Sequence, residues 1–237
     1  MAKGKLFLIP TTLGDNNPLE VLPISVVNTI ESTIHFIVEN EKSARRFIKK
    51  IAPSKEQSSL ILSVLDKRTS MMDIQNYLDV CDDGINIGLL SEAGVPAIAD
   101  PGANIVELAH KKNIRVVPLV GPSSILMAMM SSGFNGQNFT FNGYLPIDSK
   151  ERKQTLKQLE KISLSKNQSQ IFIETPYRND KMLQDLLQTL SPNTKLCIAT
   201  DISLKDEFIR TLDVRNWKNT AKPNLHKRPT IFIIHRF

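Results

Sequence analysis

The feature that most constrains this chain is a rhythm in which short apolar runs alternate with stretches whose apolar residues recur every three or four positions. Lys5–Ile9 is apolar and stops at Pro10, as a buried strand would. Thr33–Val38 is rich in β-branched residues, and Leu60–Leu65, Ile85–Leu90 and Arg115–Val117 are further compact runs. Between them lie a stretch bearing Val26, Val27 and Ile30, and then Ala44–Ile51, Met71–Val80 and Ala103–Lys112, all with helical spacing. Strand, helix and strand repeated in this way predict right-handed crossovers and a parallel sheet. In such a sheet, ligands bind beyond the carboxyl ends of the strands. The loops after Ile9, Val38, Leu90 and Val117 are therefore the places to look for function.

The second half follows another rhythm. Phe139–Tyr144, Gln170–Glu174 and Lys195–Thr200 read as strands, with helical stretches at Lys150–Lys161 and Asp180–Leu190. Glu207–Thr211 and Thr230–His235 are separated only by a short segment around Trp217, without a long crossover. A mixed, partly antiparallel sheet follows. The expectation is two α/β domains, residues 1–118 with a mainly parallel sheet and residues 121–237 with a mixed one. The boundary is placed near Leu119–Val120.

Composition excludes several classes. With 237 residues, 41% hydrophobic and 23% charged, the chain can bury a sizeable core and is neither collagen-like nor disordered. Its formal charge of +6 suits a phosphate-rich partner. Cys81 and Cys197 stand far apart, and no two histidines have metal-ligand spacing, so neither a disulfide scaffold nor a metal site is expected. No apolar run approaches the roughly 20 residues that span a bilayer. The apolar segment Leu6–Ile9 is too short for a secretory signal. A cytoplasmic protein with reduced thiols and no membrane partner is the expectation.

The most informative loop is Ser91-Glu92-Ala93-Gly94-Val95-Pro96-Ala97-Ile98-Ala99-Asp100-Pro101-Gly102, directly after a strand and ahead of a helix. Gly94, Gly102, Pro96 and Pro101 fix an irregular path. Small side chains at Ser91, Ala93 and Gly94 let a ligand approach the backbone, and Asp100 is placed to cap the next helix. The same residues also read as an ordinary capped turn. The loop is neither a Walker A nor a GxGxxG pattern. In Val120-Gly121-Pro122-Ser123-Ser124, Pro122 suits the first turn of a helix that Ile125–Met130 continues as a buried, Met-filled segment. Glu174-Thr175-Pro176-Tyr177-Arg178 reads as a capping turn whose Tyr177 and Arg178 also suit ring stacking or phosphate binding.

At these loops the chain resembles the tetrapyrrole-methylase superfamily of S-adenosylmethionine-dependent methyltransferases. Within it, the chain is most similar to the ribosomal small-subunit RNA 2′-O-methyltransferase I branch. That branch carries an SDAGTPLISDPG-like segment, here SEAGVPAIADPG at Ser91–Gly102. Its PGPSA turn resembles Val120–Ser124, and its FYESPHR resembles Phe172–Arg178. Its SG-then-GFLP pattern resembles Ser132-Gly133 and Gly143-Tyr144-Leu145-Pro146, and its PTPIGN is echoed at residues 10–15. Departures also stand out: an AEDTR-like stretch is replaced by Val38-Glu39-Asn40-Glu41-Lys42, the Asp after the loop's first Ser is Glu92, and a His is Tyr177.

The resemblance implies a two-domain fold with S-adenosylmethionine in the cleft between the domains. It places Pro10, Ser91, Glu92, Ala93, Gly94, Asp100, Gly102, Gly121, Ser123 and Ser124 at the cofactor. It also implies ribosomal RNA or the small ribosomal subunit as partner, and a homodimer. A ribose hydroxyl benefits from a general base, for which Glu39 and then Glu92 are candidates, although both residues also read as structural. Lys42, Arg45 and Arg46, with Lys49 and Lys50, form a basic run that reads either as a solvated helix face or as a phosphate contact; Tyr177 and Arg178 join the RNA candidates. Two other readings stay open here: methylation of a tetrapyrrole or other small molecule, and a non-catalytic RNA- or ribosome-binding protein that kept the fold.

Overall fold

The computed structural model describes residues 2–66, 68–70 and 72–237. The chain forms two compact units, Met1–Ser123 and Ser124–Phe237. The first holds strands β1 (Lys5–Ile9), β2 (His35–Val38), β3 (Ile61–Val64), β4 (Ile87–Leu90) and β5 (Arg115–Pro118), with helices α1 (Ile24–Ser32), α2 (Glu41–Ile51) and α3 (Ala103–Lys111). All pairings are parallel, in the order β3-β2-β4-β1-β5. Every residue of β4 is buried, as a strand covered on both faces requires.

Alternation along the strands explains the two covers. Ile9, Phe36, Val38 and Leu90 pack with Val26, Ile30, Ala44 and Ile48 of α1 and α2. Leu6, Ile37, Ile87 and Leu89 pack on the opposite face with Ile105, Leu108 and Ala109 of α3. That second face is completed by Ile74, Leu78 and Cys81, where a helix was expected over Met71–Val80. Met71 lies outside the described residues, and the rest forms two short 3₁₀ turns, Asp73–Asn76 and Asp79–Cys81. Ser70 and Asp73 exchange hydrogen bonds within the segment, and Cys81 accepts from the amide of Gly4, so local polar contacts compete with a continuous helix.

The second unit holds α4 (Ser124–Ser132), β6 (Phe139–Tyr144), α5 (Ser149–Lys166), β7 (Ser169–Ile173), α6 (Asn179–Thr189), β8 (Lys195–Thr200), β9 (Phe208–Asp213), α7 (Val214–Asn219) and β10 (Thr230–His235). Its sheet runs β6-β7-β10-β8-β9; β6 and β7 are parallel and the other pairs antiparallel. Phe172 and Phe232 sit opposite each other in register, with ring centroids 6.0 Å apart, over a core containing Leu156, Leu186 and Trp217. The indole N–H of Trp217 donates to the Leu196 carbonyl at 2.8 Å, which satisfies its buried polar atom.

Helix α4 packs on β9 and β10 but is not buried throughout. Ile125, Ala128 and Met129 face inward, whereas Leu126 is 56% and Met130 83% exposed, so among the methionines expected as core filler Met129 is the one fully enclosed. A helix lying on one sheet buries a single stripe, and residues spaced i, i+4 on its far side stay outside. Among the described residues, no helix is long and apolar enough to cross a membrane.

Candidate functional site

The parallel sheet of the first unit brings the ends of β1, β2, β4 and β5 to one edge, and the loops that follow are stitched together there. The amide of Thr11 donates to the Gly94 carbonyl at 2.9 Å, and the Ser91 hydroxyl donates to that same oxygen. Thr11 and Ser91 are both buried, with their hydroxyl oxygens 3.4 Å apart. The amide of Leu119 donates to Leu8 at 3.0 Å, which keeps the chain on the sheet past the end of β5.

Glycine serves this stitching. Gly94 has φ +74°, and a Cβ there would lie 3.0 Å from both Leu13 Cδ2 and the Pro122 carbonyl oxygen. At Gly121 a Cβ would come within 2.3 Å of Pro10 Cγ. The smallness of Gly94, expected to admit a ligand to the backbone, is thus used for contact with the chain's own neighbouring loops. Pro10, Ser91, Gly94 and Gly121 are brought together, while Glu92 and Ala93 are exposed.

Asp100 does not cap α3. Gly102 is the cap residue, at φ +131° and without a side-chain hydrogen bond, packed where a Cβ would meet Leu89 Cδ2 at 2.7 Å. Ala97 and Ala99 both take left-handed φ values, 64° and 63°, so this loop holds strain that L-residues ordinarily avoid. Burial, and then the charge of Glu92, pushes the Asp100 carboxyl above its ordinary value. Ser123 ends the first unit and Ser124 opens α4; Pro122 lies ahead of that helix instead of in its first turn.

A cavity of about 290 Å³ opens beside these loops, between residues 11–15, the inner side of α2 and residues 90–92. Its wall carries the hydroxyls of Thr11, Thr12, Ser43 and Ser91. Charges of both signs are also present: Asp15 and Glu92, Arg46 and Lys50. The Ser43 hydroxyl donates to Glu92 Oε1 at 2.6 Å, across 49 positions of sequence. Lys50 Nζ lies 2.6 Å from Asp15, whose carboxyl is held below its ordinary value first by that hydrogen bond and also by the charge of Arg46. Glu92 lines the cavity; Glu39 follows β2, is half-buried, and is not among the described residues lining it.

The departure from AEDTR has a local explanation. Asn40 caps α2, its Oδ1 accepting from the amides of Lys42 and Ser43 at 3.0 and 3.1 Å. Asn and Asp serve equally in that role, so the change costs the helix little. Ser43 and Thr11 were not singled out by sequence reasoning. Thr11 lies in the quoted echo at residues 10–15, whereas nothing local marks Ser43.

The basic candidates divide. Arg45 is engaged, donating to the Gln57 carbonyl at 2.6 Å, and Arg178 is held 2.7 Å from the buried carboxylate of Glu174. Lys42 and Arg46 are exposed, as is Tyr177 in the second unit. Arg45 and Arg178 therefore act first as structural cations.

This polar lining of mixed sign suits a zwitterion that carries its own ammonium, carboxylate and hydroxyls. The family model for tetrapyrrole (corrin/porphyrin) methylases matches residues 13–216. A ribosomal RNA small subunit methyltransferase I of Vibrio cholerae is 28% identical over 98% of this chain and 77% of its own length. One from Thermotoga maritima is 30% identical, with 87% of each chain covered. Among solved structures, the methyltransferase CobJ matches with a TM-score of 0.64 at 15% identity, covering 98% of this chain and 94% of its own.

Proposed function

The chain belongs to the tetrapyrrole methylase family of S-adenosylmethionine-dependent methyltransferases, and on that premise we propose that it methylates a ribose 2′-hydroxyl of small-subunit ribosomal RNA. The observation that carries this reading is the near-full-length similarity to relatives named ribosomal RNA small subunit methyltransferase I.

When bound, S-adenosylmethionine would supply an electrophilic methyl carbon in line with an acceptor oxygen, with the neutral thioether of S-adenosylhomocysteine as the leaving group. The chain's contribution is placement, for which near-attack geometry supplies about 7–11 kcal/mol in favourable cases. The loops at Pro10–Thr11, Ser91–Gly94 and Gly121–Ser123 would hold the cofactor, with Asp100 and Gly102 at the far end of the long loop. The hydroxyl protons of Thr12 and Ser43 go to the Gly14 carbonyl and to Glu92, so these oxygens would serve the cofactor's ammonium as acceptors. Glu92, fixed by Ser43, takes the proton of the ribose hydroxyl as the oxygen attacks. Lys42 and Arg46 meet the phosphodiester backbone.

Glu92→Gln, which keeps the shape and loses the base, is expected to lower single-turnover transfer by about 100-fold. Equal rates for the two proteins would remove the base assignment. The reading as a whole is tested by mapping 2′-O-methyl groups on small-subunit ribosomal RNA from cells with and without the gene. Loss of one methyl group is the expected result, and identical maps would overturn it. A homodimer in the cytoplasm belongs to the same proposal. It is supported by the exposed apolar pair Leu126 and Met130 on α4, and light scattering in solution reads the mass directly.

A further inference from the structure

Tyr177 is 70% exposed, yet the backbone beneath it is tied down on every side. It sits in a 3₁₀ turn, Pro176–Arg178, that starts with proline and is fastened by Arg178 to the buried Glu174. A second loop is bound to this turn, because the amide of Lys227 donates to the Pro176 carbonyl at 3.1 Å. The buried Asn179 reaches the same loop, donating to the Arg228 carbonyl at 2.7 Å. Arg228 in turn is locked to Asp201 at 2.6 Å and to the Asn224 carbonyl at 2.9 Å.

The second loop turns its side chains toward the tyrosine ring. His226 meets it edge-on, with centroids 5.9 Å apart and planes at 82°. Lys227 Nζ lies 5.8 Å from the ring centroid, and Lys227 holds φ +61°, a conformation that a long side chain rarely adopts. A solitary exposed tyrosine is commonplace. A rigidly based ring with a cation brought to it by a strained residue is a different object.

We propose that Tyr177, His226 and Lys227 form a stacking platform for a nucleobase of single-stranded RNA, with the Lys227 ammonium meeting the adjoining phosphate. The inference rests on the RNA reading above and names how the second unit holds that substrate. Every base presents a π face, so the platform contributes affinity without sequence preference. Arg228 is paired with Asp201, and Asp206, Glu207 and Lys222 line the groove beside it, so the cation brought to the ring itself is that of Lys227.

The test is binding of a short fluorescein-labelled single-stranded RNA of mixed sequence, followed by anisotropy across a salt series. Tyr177→Ala is expected to weaken binding about tenfold, while Tyr177→Phe, which keeps the ring, stays within about twofold of the wild type. Lys227→Ala is expected to lower the salt slope by about one. Unaltered binding by Tyr177→Ala would overturn the platform, as would a loss with Phe equal to that with Ala, or no binding by the wild type. Methyl mapping with the wild-type protein reads the enzymatic assignment separately: a methylating protein whose Tyr177→Ala variant binds RNA normally loses the platform alone.

Discussion

Asp100 and Glu92 share a loop whose backbone is already strained at Ala97 and Ala99, and the carboxyl of Asp100 is raised by burial and by that neighbouring charge. A carboxyl raised on folding binds protons more tightly in the native chain than in the unfolded one. Its contribution to stability is full below the ordinary aspartate value of 3.8 and is lost as pH rises through the higher folded value. At neutral pH the ionised group therefore works against the fold, and a cation bound nearby would offset it. Asp100→Asn is expected to raise the thermal midpoint by about 1–2 °C near pH 7 in the absence of cofactor. Below pH 3.8 the gain should vanish, and calorimetric scans at both pH values check it. At this scale the sequence was only partly readable. Residue types marked the loops, but the Gln57 carbonyl that receives Arg45 and the Ser43–Glu92 contact depend on chain segments brought together by folding, and the capping by Gly102 in place of Asp100 depends on the path of the loop between them.

Helices α5 and α6 are joined by a buried ion pair that neither helix announces by itself. Arg152 and Asp185 are 3% and 0% exposed. The guanidinium Nε donates to Asp185 Oδ2 at 2.9 Å, Nη2 contacts the same oxygen, and Nη1 donates to the carbonyls of Pro146 and Ile147. Burial pushes Asp185 up, but Arg152, Lys181 and Lys153 together outweigh it and hold the carboxyl below its ordinary value. Removing one partner leaves the other charge buried without compensation, and Arg152→Ala should cost about 3–5 kcal/mol in urea unfolding. The double substitution Arg152→Met with Asp185→Leu should recover most of that loss, because the desolvation penalty disappears with both charges. A double variant as unstable as the single one would mean that packing, and not charge, dominates the site. Element identity was legible wherever an amphipathic stripe met a flat sheet, as in α2 and α6. It failed between residues 72 and 81, where 3₁₀ turns place apolar residues at spacings close to those of an α-helix. It also overstated α4, whose outward Leu126 and Met130 are apolar for a reason other than this unit's core.

At the scale of the molecule, both sheets were readable because buried strands must be apolar runs and because crossover length separates parallel from antiparallel pairing. Each unit also carries its own reporters: Cys81 is buried in the first, and Cys197 and Trp217 in the second. Burial pushes the Cys197 thiol up to about 11, so in the native state it neither ionises near neutrality nor meets a disulfide reagent. Close by in the same sheet, His235 is fully buried, with Nδ1 3.1 Å from the Ser169 hydroxyl and its ring between those of Phe134 and Phe237. Burial first, and then the charge of Lys195, holds its pKa below the ordinary 6.5. The unfolded chain consequently binds the extra proton more readily, and the stability contributed by neutral His235 is present above pH 6.5 and drains away as pH falls below it. Urea unfolding followed by Trp217 emission and by Ellman's-reagent labelling of Cys197 should therefore shift to lower midpoints between neutral pH and about pH 5.5. In His235→Asn the shift should shrink, even if the variant starts from a lower midpoint, because its side chain does not titrate in that interval. A variant with the wild-type pH slope would place the titrating group elsewhere in the second unit and deny His235 its part in the acid lability of the sheet.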